Sequence, residues 1–91
     1  MYMITSLDVK FKTNKENMEN ILQHYGLRKI QSTIYAGDMT NDEREELCEK
    51  IKSEINKKDS VLVLPLCQKC FSKKQAIGHE IKFSEDLWRI Y

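Results

Sequence analysis

Apolar residues open the chain as a near-continuous run, Met1-Tyr2-Met3-Ile4-Thr5-Ser6-Leu7, which predicts a strand closed by Asp8-Val9. A helical period follows, because Met18, Ile21, Leu22 and Tyr25 stand at i, i+3, i+4 and i+7 and form one stripe. Thr13-Asn14-Lys15-Glu16 has the form of a capping box for its start, and Gly26 suits the left-handed position that ends it. Leu27 to Met39 is rich in β-formers with Gly37 inside, which fits two short strands joined by a tight turn or one strongly bent strand. Thr40-Asn41-Asp42-Glu43 is a second capping box. Leu47, Cys48, Ile51 and Ile55 mark the buried side of the helix behind it, which is expected to end near Lys58. After the turn signal Asp59-Ser60, the run Val61-Leu62-Val63-Leu64 predicts a strand buried on both faces, with Pro65 at its end or on an edge.

The order strand, helix, strand, strand, helix, strand predicts an α+β fold of the ferredoxin-like βαββαβ kind, an antiparallel sheet with two helices on one face. Residues 1–78 would form that domain, and 79–91 a C-terminal strand and aromatic tail. Glu80-Ile81-Lys82-Phe83 is the candidate strand, while Phe83, Leu87, Trp88, Ile90 and Tyr91 are a heavy apolar load for a terminus. Such a segment either packs on its own sheet or adds to the sheet edge of a partner. At 91 residues a single domain has a modest core, so association would add burial that one copy lacks.

Charge changes the picture only locally. Fifteen basic and fourteen acidic side chains nearly cancel, which excludes a global basic footprint for nucleic acid and leaves only a patch. Acids at Asp42, Glu43, Glu45, Glu46 and Glu49 precede Lys50, Lys52, Lys57 and Lys58, a polarity that suits a helix dipole. Lys10, Lys12 and Lys15 with Arg28 and Lys29, and separately Lys69, Lys73 and Lys74, have less structural excuse. No apolar run approaches the length of a membrane span and no signal-peptide pattern opens the chain, so a cytoplasmic protein is expected.

Two groups of residues carry candidate chemistry. Asp8 is a carboxylate at a strand end with lysines in the following loop, a pairing that metal-dependent phosphate chemistry uses; a turn-forming Asp is the plainer reading. Cys67-Gln68-Lys69-Cys70 is spaced as half of a four-thiolate zinc site or as a redox pair. The chain offers no second pair, and no recognisable spacing links His24 or His79 to it, so reduced thiols are expected. Cys48 is expected in the core.

Four segments together resemble a known family: the first strand ending in Leu7-Asp8-Val9, Tyr25-Gly26-Leu27-Arg28-Lys29-Ile30-Gln31, Thr33-Ile34-Tyr35-Ala36-Gly37-Asp38-Met39-Thr40, and Asp59-Ser60-Val61 leading to Pro65-Leu66-Cys67. In order and spacing over roughly residues 1–70 they are similar to the CRISPR-associated endoribonucleases that form the smaller of the two core spacer-acquisition proteins. The resemblance implies a symmetric ferredoxin-like homodimer whose final strand commonly joins the partner's sheet. It implies that Asp8 faces its twin across the dimer axis as ligand of a catalytic Mg²⁺. It also implies a scaffold that binds duplex DNA and an integrase partner during spacer acquisition, with Mg²⁺-dependent endonuclease activity centred on Asp8; in such a scaffold the locally basic Lys10, Lys12, Lys15, Arg28 and Lys29 would grip phosphates. Many relatives carry further acids and paired arginines after that aspartate. Here Lys10-Phe11-Lys12-Thr13-Asn14-Lys15 has neither, Tyr35 replaces the usual Phe, and Ala36 stands where Glu is frequent. The alternative is a toxin-like ribonuclease or RNA-binding module on the same fold, which would stack single-stranded RNA on exposed mid-strand aromatics. Tyr2 and Tyr35 are the candidates for that role, and core positions are the simpler reading for both.

Overall fold

A computed structural model describes residues 2–75 and 77–78. Its elements run β1 (Tyr2–Asp8), α1 (Lys12–His24), β2 (Arg28–Gln31), β3 (Ile34–Asp38), α2 (Asn41–Glu54), β4 (Ser60–Leu66) and α3 (Gln68–Ser72). The strands form one antiparallel sheet in the order β2-β3-β1-β4, the ferredoxin-like arrangement, with the first strand in the centre. The expected tail strand and aromatic end at 79–91 lie outside the described residues, as does His79.

Strand alternation sorts side chains onto two faces. Met3, Leu7 and Tyr35 point toward the helices and share a core with Met18, Ile21 and Leu22 of α1, Leu27, Met39, and Leu47 and Ile51 of α2. Thr5 belongs to the same face and is fully buried, and its Oγ1 finds no hydrogen-bond partner. An unmet buried hydroxyl costs about 1–3 kcal/mol. Thr5→Val keeps the shape and removes that cost, so a rise in stability of about 1 kcal/mol is expected in urea unfolding.

The end of α1 is a Schellman cap. Gly26 adopts φ +89°, its N–H donates to the Gln23 carbonyl at 3.0 Å, and the Leu27 N–H donates to the Leu22 carbonyl at 3.0 Å. Gly37 of β3 lies directly under this corner: a Cβ there would sit 2.8 Å from the Gly26 carbonyl oxygen and 3.1 Å from Leu27 Cα. The second capping box is complete, with Glu43 N–H donating to Thr40 Oγ1 and Thr40 N–H to Glu43 Oε1. The two helices are clasped through Glu54, which accepts from Asn17 Nδ2 at 3.1 Å and pairs with Lys50 Nζ at 2.6 Å. The hydrogen bond from Lys50, with Asn17 adding to it, holds the Glu54 carboxyl below its ordinary range.

Several expectations are corrected. Helix α1 starts two positions early, with Phe11 as N-cap and no side-chain cap, so Thr13-Asn14-Lys15-Glu16 is not a capping box. The Lys15 N–H to Phe11 carbonyl bond at 2.9 Å already closes a helical turn before Thr13 could cap one. Helix α2 ends at Glu54 rather than near Lys58. Ile55 is extended, and the Asn56 side chain accepts from Lys58 N–H in a turn, so Lys57 and Lys58 add nothing to the helix end. Cys48 is half-buried rather than core. Strand β4 is not buried on both faces: it pairs only with β1 among the described residues, and Leu62 and Leu64 are 55% and 46% exposed. Pro65 fits that edge position.

Candidate metal and nucleic-acid site

Asp8 is the last residue of β1, opposite Ser60, and is exposed. By alternation it belongs to the outer face, away from the helices, together with Tyr2, Ile4 and Ser6. On β4 the partners of Ser6 and Ile4 are Leu62 and Leu64, so the carboxylate and the two exposed leucines share one face. Fixed pairing of β1 on both sides holds the backbone at this end, where Leu7 N–H also donates to the Thr33 carbonyl at 2.8 Å.

A second acid enters from the turn before β4, one that the spacing of the Asp8 loop does not reveal. Asp59 Oδ1 accepts from Lys10 N–H at 3.1 Å and ties the loop after Asp8 to the start of β4. In the sequence Asp59-Ser60 signals a turn and belongs to one of the four family-like segments, but nothing there links it to Lys10. Asp59→Ala is expected to lower stability by about 1 kcal/mol and to raise hydrogen exchange at the Lys10 amide, measured by mass spectrometry.

Basic residues are divided by the fold. Lys12 and Lys15 lie on α1 at i and i+3, and Glu19 continues that stripe at i+7. Glu19 in turn pairs with Lys29 Nζ of β2 at 3.7 Å and accepts from the buried Tyr35 hydroxyl at 2.6 Å. Lys12, Lys15 and Lys29 therefore line one flank, interrupted by the Glu19 carboxylate. Burial, with the Glu19 hydrogen bond added, pushes the Tyr35 phenol well above its ordinary range, so the hydroxyl stays a donor. Lys10 stands beside Asp8 in the loop. Arg28 is exposed on the edge strand β2, level with Ala36 and Ile4 near the middle of the sheet, four residues down the central strand from Asp8. Lys74 lies over the Phe71 ring at 3.7 Å, away from this flank.

Neither tyrosine offers a base-stacking surface. Tyr2 and Tyr35 are each 1% exposed, the first under Phe71 at a ring-centroid distance of 4.5 Å. Among the described residues no group of three or more His, Cys, Asp or Glu side chains is placed to hold a metal ion. Mg²⁺ keeps several waters and takes one or two carboxylates when phosphate completes its shell. A pair of Asp8 side chains from two copies matches that donor count.

A four-stranded antiparallel sheet in this order, with helices α1 and α2 packed on one face, defines a small ferredoxin-like α+β protein. The profile of the family described as "CRISPR associated protein Cas2" matches residues 1–74, and the chain belongs to that family. It is 30% identical over 78 residues to the CRISPR-associated endoribonuclease Cas2 of Desulforudis audaxviator, covering 85% of this chain and 74% of the relative. A solved structure described as "Crystal structure of cas2" superposes with a TM-score of 0.77 at 25% identity, covering 93% and 94% of the two chains. Streptococcus pyogenes Cas2 superposes at 0.74 with 17% identity, covering 86% of this chain and all of that one, a likeness of fold. Among the described residues no helix is long and apolar enough to cross a membrane.

Proposed function

We propose that this chain acts as a symmetric homodimer in CRISPR spacer acquisition, holding duplex DNA for an integrase partner, with a Mg²⁺-dependent nuclease centre at the paired Asp8 side chains. The observation that supports this most is the outer sheet face, where Asp8, Leu62 and Leu64 stand together beside the unpaired edge of β4 among the described residues. Exposed leucines on a flat sheet face ask for a cover, and a second copy related by a two-fold axis offers an identical one. Covering them this way brings the two Asp8 side chains toward each other. Bound between them, Mg²⁺ would supply Lewis acidity for a phosphodiester oxygen. The chain's own part is to fix the two carboxylates on paired strand ends and to aim phosphates at them from Lys10.

The flank of Lys12, Lys15 and Lys29, with Arg28 on the neighbouring edge, would hold the duplex by its phosphates and so position it without reading its sequence. A salt titration of duplex binding tests this. The logarithm of the association constant should fall against the logarithm of salt with a slope of about −0.9 for each phosphate neutralised. Lys12→Ala is expected to reduce the slope by about 1 and to weaken all sequences alike. A flat salt response would remove the DNA role. Tight single-stranded RNA binding with little duplex binding would favour the ribonuclease reading, which matches the naming of the relatives but has no exposed tyrosine among the described residues to support it.

A further inference from the structure

The far end of β4 carries chemistry that neither the sheet face nor the basic flank uses. Cys67 follows the last strand residue and is the N-cap of α3, and its Sγ accepts from the Cys70 N–H at 3.4 Å. That bond turns the Cys67 side chain back over the first turn of the helix, toward Cys70. Both cysteines are exposed. Sulfur is a weak acceptor, so a thiol is a poor choice if capping alone were needed; Ser, Thr, Asp and Asn lead at this position. Phe71, between the pair and the chain that follows, is buried and stacks on Tyr2. That contact anchors the helix and with it the spacing of the two sulfurs.

We infer that Cys67 and Cys70 form a redox-active dithiol, with Cys67 as attacking thiol and Cys70 as resolving thiol, which exchanges with low-molecular-weight disulfides such as glutathione disulfide. The Cys67 thiolate attacks one sulfur of the disulfide. A Cys67–glutathione disulfide forms, the original S–S bond breaks, and the departing glutathione thiolate takes up a proton equivalent to the one Cys67 released. Cys70 then gives its proton to water as its sulfur attacks Cys67 Sγ, and the second glutathione leaves as a thiolate that is protonated in turn. The protein loses two electrons and two protons, and one glutathione disulfide becomes two glutathione thiols. The two thiols are biased for this order. Hydrogen bonds from Cys70, first from its backbone N–H and then from its side chain, hold the Cys67 thiol below the ordinary range, while the hydrogen bond to Cys67 pushes Cys70 up.

Full-length protein treated with glutathione disulfide, acid-quenched, alkylated and peptide-mapped by mass spectrometry tests this. Wild type should show an intramolecular Cys67–Cys70 disulfide, a free Cys48, and no lasting glutathione adduct. Cys70→Ser should accumulate the adduct at Cys67, and Cys67→Ser should form one at Cys70 several-fold more slowly. Independently of any substitution, brief alkylation of the reduced wild type near neutral pH should label Cys67 several-fold faster than Cys70 or Cys48. Stable glutathione adducts on wild type, three thiols that stay free, or equal labelling of Cys67 and Cys70 would each overturn the inference.

Discussion

Asp8→Asn is expected to lower Mg²⁺-dependent cleavage of nucleic acid by roughly 100-fold or more while leaving the fold intact. Asn keeps the shape of the side chain, and Asp8 is exposed at a strand end, so little packing depends on its charge. In a two-fold dimer one substitution removes both carboxylates, and no other cluster of three potential ligands among the described residues can take over. The same change should have the opposite sign on assembly. Two carboxylates ~5 Å apart repel by about 3 kcal/mol at an effective dielectric near 20. In the presence of a chelator, the Asn variant should therefore dimerise more tightly than wild type, by up to that amount. Gel assays on labelled RNA and duplex DNA, with and without Mg²⁺, read the first effect, and analytical ultracentrifugation in EDTA reads the second. Full activity in the variant would locate the nuclease elsewhere, and unchanged dimerisation would show that the two carboxylates do not face each other.

The second large effect is expected from Leu62→Asp combined with Leu64→Asp. Both side chains are exposed in a single copy, so the monomer loses little when they change. A two-fold axis doubles every substitution, and each leucine buried at an interface is worth about 1.5–3 kcal/mol. Loss of four such contacts, with four charges in their place, should weaken dimerisation far more than 100-fold. The variant should run as a folded monomer in size-exclusion chromatography with an unchanged circular dichroism spectrum. A dimer that persists would assign the outer face to another partner. An unfolded variant would mean that the leucines belong to the chain's own core.

Much of the fold was legible because its stops are written in local chemistry. Gly26 takes the left-handed conformation that its position suggested, and Thr40 with Glu43 forms both hydrogen bonds of the capping box. Thr13 with Glu16 shows the same pattern without the bonds. The helix start there is set from a distance, by Asp59 holding Lys10 and by the pairing of Asp8 with Ser60. An apolar run such as Val61 to Leu64 cannot say what covers it: Val61 and Val63 pack against the helix-side core, whereas Leu62 and Leu64 face outward. Helix α3 went unread because five residues hold too little periodicity. Its anchor, the Phe71 contact with Tyr2, joins the two ends of the described chain. For the candidate site, Asp8 and the lysines that follow it could be named from sequence. The separation of Arg28 from Asp8 by four residues of strand, the pairing of Lys29 with Glu19, and the tie of Asp59 to Lys10 all required the fold.

The corner where Gly37 meets Gly26 and Leu27 bears on how a mutational scan of this protein would be read. Any side chain at residue 37 must push the backbone of the α1 cap away from the sheet, because the nearest atom is the Gly26 carbonyl oxygen at 2.8 Å and a shift of the Leu27 side chain alone cannot relieve it. Position 37 should therefore reject nearly every replacement, as strongly as a catalytic residue would, although it reacts with nothing. Gly26 is different: a Cβ there meets open space, and only its backbone angle resists. Asn, which tolerates that angle best, should be accepted at 26 and refused at 37. Intolerance at residue 37 would then mark architecture, and a map of sensitive positions would outline this corner as clearly as it outlines Asp8.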